Sequence, residues 1–350
     1  MKASRKVRFS AIDMFCGIGG LSLGLRRAGF KVIAAIDNDD LSAETYQMNH
    51  RGTHLIKDDI QVVDPAKLME YLKMEEGDLD LLAGCPPCQG FSTLRTYNGG
   101  REVDEPMNDL VFEFTRFVKV FMPKTLMMEN VPALIVDARL DRFRKELRAL
   151  GYECEAKIFD ATQFGVPQRR SRMIFLAFRN GNPSFAAPLR RCWTVEGAIR
   201  RLPPPKQSKD PAHNYSVRRT ERVESLIRRI PKDGGSRTAL PAKDQLECHQ
   251  KFNGFKDVYG RMAWRKPAPT ITGGCINPSK GRYIHPAENR AITLREAALL
   301  QRFPVSYLFK MSKGRYSVAQ LIGNAFPPKF AEHHARSIYR HLKKSLHTTC

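Results

Sequence analysis

Apolar and polar positions fall into short blocks along the first half of the chain, and the period changes from block to block. Residues 9–15 (FSAIDMF), 31–37 (KVIAAID), 79–84 (LDLLAG) and 125–130 (TLMMEN) are near-continuous apolar runs, the pattern of strands buried on both faces. Residues 154–161 (CEAKIFDA) and 172–178 (RMIFLAF) complete the predicted strands. Between them lie stretches of helical period: 21–29, closed by Gly29, then 43–50, 66–74, 110–121 stopped by Pro123, and 139–150 stopped by Gly151. Alternation of this kind predicts an α/β fold, a doubly wound and mostly parallel sheet with helices on both faces.

Past Arg179 the texture changes. Segments such as RLPPPKQSKDPAHN and INPSKGRYIHPAENR are rich in Pro, Gly and polar residues and have few periodic stretches. Helices return near the C-terminus. Thr293-x-x-Glu296 and Ser317-x-x-Gln320 fit capping boxes, Pro304 stops the first of these helices, and residues 330–344 read as a final basic helix. The expected organisation is a first domain over 1–182, a small irregular domain over 183–315 with a variable core at about 205–265, and a helical segment over 316–350 that packs back on the first domain.

Composition narrows the partners. The 350 residues are 42% hydrophobic and 27% charged, a balance that folds rather than stays disordered. Lys and Arg total 58 against 36 Asp and Glu, a net +22 that suggests a polyanionic partner. Residues 186–290 hold 22 Lys/Arg and nine Asp/Glu, so more than half of that excess lies in under a third of the chain. No apolar run approaches the roughly 18 residues of a membrane span. The basic start followed by AIDMFCGIGGLSLGL imitates a signal peptide, but Asp13 interrupts the apolar core, and the segment is read as mature sequence. Eight cysteines without a framework spacing suggest reduced thiols in the cytoplasm. Cys85 and Cys88 form one CxxC with no second half, so no metal is expected.

Four segments carry candidate chemistry, each at a predicted strand end. Asp13-Met14-Phe15-Cys16-Gly17-Ile18-Gly19-Gly20 is a glycine turn that lets backbone approach a ligand, and Asp37 ends the next strand where a carboxylate can bind ribose hydroxyls. A nicotinamide fingerprint would need glycine at position 22. Ser22 stands there, which favours a nucleoside ligand without pyrophosphate. Asp58-Asp59-Ile60 can hold an adenine edge. In Gly84-Cys85-Pro86-Pro87-Cys88-Gln89, a cysteine fixed by two prolines suits a nucleophile; a redox pair or a buried structural thiol are the alternatives. Glu129-Asn130-Val131 presents a carboxyl group able to bond a ring nitrogen, or else a solvated turn. Gln168-Arg169-Arg170-Ser171-Arg172 places arginines where they can bind a phosphate or a base carbonyl.

Taken in order, DMFCGIGG, GCPPCQGFS, ENVPAL, QFGVPQRRSR, TLREAALLQRFP and QLIGNAFPP closely resemble the DNA (cytosine-5)-methyltransferase family in its bacterial single-chain form. The likeness covers nearly the whole chain outside about 205–265. It implies the S-adenosylmethionine-dependent methyltransferase fold with a target-recognition domain in the basic region. It implies methyl transfer from S-adenosyl-L-methionine to C5 of a cytosine flipped out of duplex DNA. Cys88 would attack C6, Glu129 would bond N3 and the exocyclic amine, Arg172 and Arg170 would hold the O2 side, and Asn130 would orient the loop. Phe15, Gly17, Gly19, Gly20 and Leu21 would surround the methionine part of the cofactor, with Asp37 at the ribose, Asp59 and Ile60 at the adenine, Pro87 near both ligands and Asn324 closing the pocket. The resemblance further implies a monomer on double-stranded DNA, cytoplasmic and nucleoid-associated, away from membranes, with a cognate restriction endonuclease as a functional partner or none. Three rivals remain at this stage: a tRNA methyltransferase of the same fold, whose usual Cys-Phe-Thr tripeptide does not occur here, a nicotinamide or CxxC oxidoreductase, and a DNA-binding protein without catalysis.

Overall fold

A computed structural model describes residues 8–87, 106–248 and 256–348. The chain divides into two compact units, one comprising Met1–Asp160, Ser171–Pro188 and Phe330–Cys350, the other Ala161–Arg170 and Leu189–Lys329.

The first unit is built on seven strands: β1 (Ser10–Met14), β2 (Lys31–Ile36), β3 (His54–Ile56), β4 (Leu81–Gly84), β5 (Thr125–Asn130), β6 (Glu153–Asp160) and β7 (Ser171–Phe178), in the order β3-β2-β1-β4-β5-β7-β6. All neighbours are parallel except β7, which runs antiparallel to both β5 and β6. The order of connection reverses between β1 and β4. The carboxyl ends of those two strands therefore flank a topological switch point, where open α/β sheets bind ligands. β4 and β5 are buried along their whole length, which is why they read as unbroken apolar runs. β6 lies at the edge and carries Glu153, Glu155 and Lys157, charges that discourage further strand pairing.

Helices α1 (Gly20–Ala28), α2 (Asp40–Asn49), α3 (Pro65–Tyr71), α4 (Glu113–Phe121) and α5 (Ala138–Ala149) cover the sheet. Their ends follow local chemistry. Gly29 closes α1 at φ 112°, while Asp39 and Asp64 cap α2 and α3 by accepting from the Ser42 and Ala66 amides. Phe114, Phe117, Val118 and Phe121 form the apolar face of α4, packed in one core with Met128, Phe143 and Phe175. From Phe330 onward the last helix belongs to this unit. Tyr339 sets its ring 4.9 Å from that of Phe9, in contact so close that a Cβ on Gly29 would lie 3.0 Å from it.

The second unit is mostly irregular. It holds α6 (Val195–Ile199), α7 (Glu221–Arg229), α8 (Leu294–Leu300) and α9 (Gly314–Asn324), and α10 (Pro328–Thr348) begins at its edge. Arg261 is wholly buried and organises one core. Its Nε donates to Ile230 O (3.0 Å), Nη2 to Ile227 O (2.7 Å) and Nη1 to His285 O (3.1 Å), a cation placed on the carbonyl end of α7. The Thr293–Glu296 capping box forms as expected on α8. The one at Ser317 does not. Ser317 lies inside α9 and donates to Lys313 O (2.9 Å), so its hydroxyl serves the preceding turn rather than a cap.

The two units also differ from the expected ranges. Ala161–Arg170 leaves the sheet between β6 and β7 to join the second unit, and the expected 316–350 segment divides at Phe330. A ten-residue excursion between paired strands leaves no composition signal, and the change of texture after Arg179 does not mark it.

Candidate active site

The turn after β1 takes its shape from residues in the left-handed region. Phe15 (φ 59°), Gly17 (φ 51°) and Gly19 (φ 85°) alternate with residues of ordinary conformation, and Cys16 N is held by Ile36 O at 2.9 Å. A Cβ on Gly17 would meet nothing within 4 Å. Its backbone thus borders open space, and it is the φ, not a neighbouring atom, that calls for glycine. Asp37 locks the turn: Oδ2 accepts from Gly17 N (2.8 Å) and Oδ1 from Asp39 N (3.0 Å). Burial pushes its carboxyl above the ordinary value, with those two amides pulling the other way. Gly20 and Leu21 open α1, whose first turn has neither an N-cap side-chain bond nor an acidic residue.

Beneath this turn lies a polar chain in which the sequence reading assigned no role. Asp13 is fully buried and accepts from Ser22 Oγ at 2.6 Å, and Ser22 Oγ lies 2.7 Å from Tyr46 Oη. The residue that breaks the nicotinamide fingerprint is thus the donor that satisfies a buried acid. Among the described residues Asp13 Oδ1 has no hydrogen-bond partner. Burial raises the Asp13 carboxyl to about 7, against about 3.9 in an unfolded chain. The folded state therefore holds a proton that the unfolded state has released, and stability falls as pH rises from about 4 through 7. Asp13→Asn, which cannot ionise, should gain on the wild type as pH rises. The Tm of the variant minus the Tm of the wild type is expected to be higher at pH 8 than at pH 5, and an equal value at both would show that Asp13 does not titrate in this window.

Next to that turn, β4 and β5 end side by side. A Cβ on Gly84 would lie 2.4 Å from Met14 O, so glycine is what lets β4 close on β1. Cys85 N then donates to Met14 O (3.2 Å), and Asn130 Nδ2 donates to Pro86 O (3.2 Å), tying the segment after β4 to both neighbours. Asn130 Oδ1 accepts from Val131 N at 2.7 Å, which fixes the amide's orientation. Because β7 pairs antiparallel with β5, its first residues lie at the same edge, with Asn130 opposite Met173. Arg172 Nε meets Glu129 Oε1 at 2.8 Å, with the carboxylate side chain only 9% exposed. Two motifs 43 positions apart in sequence become one ion pair at the carboxyl edge of the sheet. Pro87 follows, half-buried; Cys88 and Gln89 lie outside the described residues.

Asp59 and Ile60 follow β3. Asp59 Oδ1 accepts from Gln61 N (2.9 Å), and Ile60, 4% exposed, offers its carbonyl to Arg116. Arg170 lies apart from the Glu129–Arg172 pair. It is 3% exposed and belongs to the second unit, where Nη1 donates to Gly323 O (2.9 Å) and Ile271 O (3.2 Å). A guanidinium used in this way braces backbone, and it leaves Arg172 as the arginine at the carboxylate. Gln168, equally buried, holds Ile271 N at 2.8 Å. Asn324 ends α9 in the second unit, exposed, directly after Gly323, where the helix packs so close to the Thr272–Gly273 backbone that a Cβ would lie 2.3 Å from the Thr272 carbonyl carbon.

A seven-stranded sheet of this order, with a glycine turn and a carboxylate–arginine pair at its carboxyl edge, is the S-adenosylmethionine-dependent methyltransferase fold. The family model for the C-5 cytosine-specific DNA methylase matches residues 9–340, and the chain belongs to that family. It is an enzyme, a cytosine-C5 DNA methyltransferase. Among curated relatives, Type II methylase M.HgiDII of Herpetosiphon aurantiacus is 36% identical over 95% of this chain and 96% of its own length. Type II methyltransferase M1.HphI of Haemophilus parahaemolyticus is 31% identical over 94% of this chain and 86% of its own. A crystal structure described as a prophage-encoded DNA modification methyltransferase of E. coli superposes with a TM-score of 0.70 at 24% identity, covering 96% of this chain and 99% of that one, which is a likeness of fold.

Proposed function

We propose that this enzyme methylates C5 of a cytosine extruded from duplex DNA, with Cys88 as nucleophile and Glu129 and Arg172 as the groups that hold the ring. The observation that carries the reading is the Glu129–Arg172 pair at 2.8 Å, on the edge of the sheet where the Pro86-Pro87-Cys88 segment begins. C5 and C6 inside a base stack cannot be reached from two sides, so the base must leave the duplex. The Cys88 thiolate adds to C6, and the negative charge that develops on the ring is quenched at N3 by a proton from the Glu129 carboxyl group, which takes it back when the thiolate leaves. Arg172 faces the O2 side and keeps the carboxyl in place. C5, now nucleophilic, takes the methyl group; loss of the C5 proton restores the double bond and expels the thiolate.

S-Adenosyl-L-methionine supplies the electrophilic methyl when bound. The residues present suit it: a left-handed glycine at position 17 bordering open space, the Asp37 carboxylate beside it, the start of α1 with no N-cap side-chain bond, and the half-buried ring of Phe15. Asp37 would orient the ribose while its bond to Gly17 N keeps the turn rigid. Asp59 and Ile60 would take the adenine. The second unit, with most of the basic excess, serves as the DNA-recognition unit. The names of the Type II relatives favour a role in restriction-modification, with an endonuclease of the same specificity as functional partner.

Incubation with tritiated S-adenosylmethionine and either duplex DNA or tRNA tests the reading. Label in DNA at C5 of cytosine, mapped by bisulfite sequencing of plasmid from a non-methylating host, is the expected result. Label in tRNA with none in DNA would overturn it.

A further inference from the structure

The second unit contains a cavity of about 470 Å³ that the mechanism above does not use. Four cations line it, Arg169, Arg261, Lys266 and Arg282, against a single carboxylate, Asp257. Two of the four are internal braces. Arg261 spends its donors on carbonyls, and Arg282 bonds Asp257 Oδ1 through Nε (2.9 Å) and the Gly234 carbonyl through Nη1 (3.0 Å). Asp257 is thereby occupied, and its charge cancels only one of the four.

Arg169 and Lys266 differ. Among the described residues neither head group meets a hydrogen-bond acceptor or a carboxylate, and both side chains are exposed. Their backbones, in contrast, are fixed. Arg169 N donates to Ala268 O (2.9 Å) and Thr270 Oγ1 donates to Arg169 O (2.8 Å), while Lys266 O accepts from Val195 N (3.0 Å). Ala268 N in turn bonds Pro167 O (2.9 Å), so the two segments run side by side as a short parallel bridge. The result is two free cations on fixed backbone, both lining a cavity whose remaining charged groups, Arg261, Arg282 and Asp257, leave it positive. An anion with several oxygens suits this arrangement, because a guanidinium can bind it in bidentate fashion and an ammonium can add a point charge.

We propose that Arg169 and Lys266 clamp one phosphodiester of the DNA substrate in this cavity. The inference rests on the DNA reading above and assigns these two residues to the backbone rather than to bases. Contacts of this kind set register and carry no sequence information.

The test uses the full-length enzyme carrying Arg169→Gln and Lys266→Gln together. Affinity is measured from 50 to 200 mM salt for two probes, a duplex containing the methylated site mapped by bisulfite sequencing and a duplex lacking it. Losing one phosphate contact should flatten the slope of log affinity against log salt by about 0.9, which reduces the affinity lost across that range by about 3.5-fold. Both probes should weaken alike, and the charge-keeping pair Arg169→Lys and Lys266→Arg should retain the wild-type slope. An unchanged slope, as expected if only free phosphate enters the cavity, would overturn the clamp. So would a loss confined to the duplex with the site, which would mean base reading. If the wild type itself neither binds nor methylates DNA, the functional reading fails; if it does both while the variant keeps its slope, only the clamp fails.

Discussion

Cys88→Ser is expected to remove turnover altogether while leaving DNA binding in place. The hydroxyl that replaces the thiol is far less acidic and a poorer nucleophile at neutral pH, and nothing else in the proposed chemistry can make C5 of cytosine attack a methyl group. Tritium transfer into duplex DNA should drop to background, and a mobility-shift titration on the same duplex should match the wild type. Cys85→Ser provides the contrast. Cys85 is held through its backbone amide on Met14 O, and its thiol has no part in the mechanism, so methyl transfer should persist. Equal loss in both variants would instead favour a dithiol chemistry of the CxxC pair.

Glu129→Gln should lower the rate of methyl transfer by about 10²–10⁴-fold, the range for a positioned acid–base group. Glutamine keeps the shape but neither carries the charge that holds Arg172 at 2.8 Å nor offers an acidic proton to N3. The loss should appear in kcat at saturating DNA and cofactor, because the interaction strengthens as C6 is attacked. A variant with unchanged kcat would remove Glu129 from the mechanism.

Much of this architecture is legible in the sequence because short-range patterns determine it. The apolar runs of β4 and β5 reflect burial on both faces, and Gly29 and Thr293 mark helix ends by local geometry. The glycines of the first turn and Gly84 stand where backbone conformation or strand approach demands them. Contacts that depend on distant partners were not legible. Arg170 and Arg172 are two positions apart and look alike, yet one braces the carbonyls of Ile271 and Gly323 and the other pairs with Glu129. Helix α7 went unread although Val223, Leu226, Ile227 and Ile230 have helical spacing, because the charges around them dominate the composition. Ser22 read only as a missing glycine, and its bond to Asp13 emerged once α1 was laid against β1.

The most direct test of the central claim is covalent trapping on duplex DNA carrying 5-fluorocytosine at the methylated position. Fluorine at C5 cannot leave as a proton does, so the enzyme should stall with the base attached and the methyl transferred. Peptide mass spectrometry is expected to find the methylated fluoropyrimidine on Cys88. No adduct, or an adduct on another residue, from an enzyme that methylates ordinary cytosine in the same duplex would contradict the account.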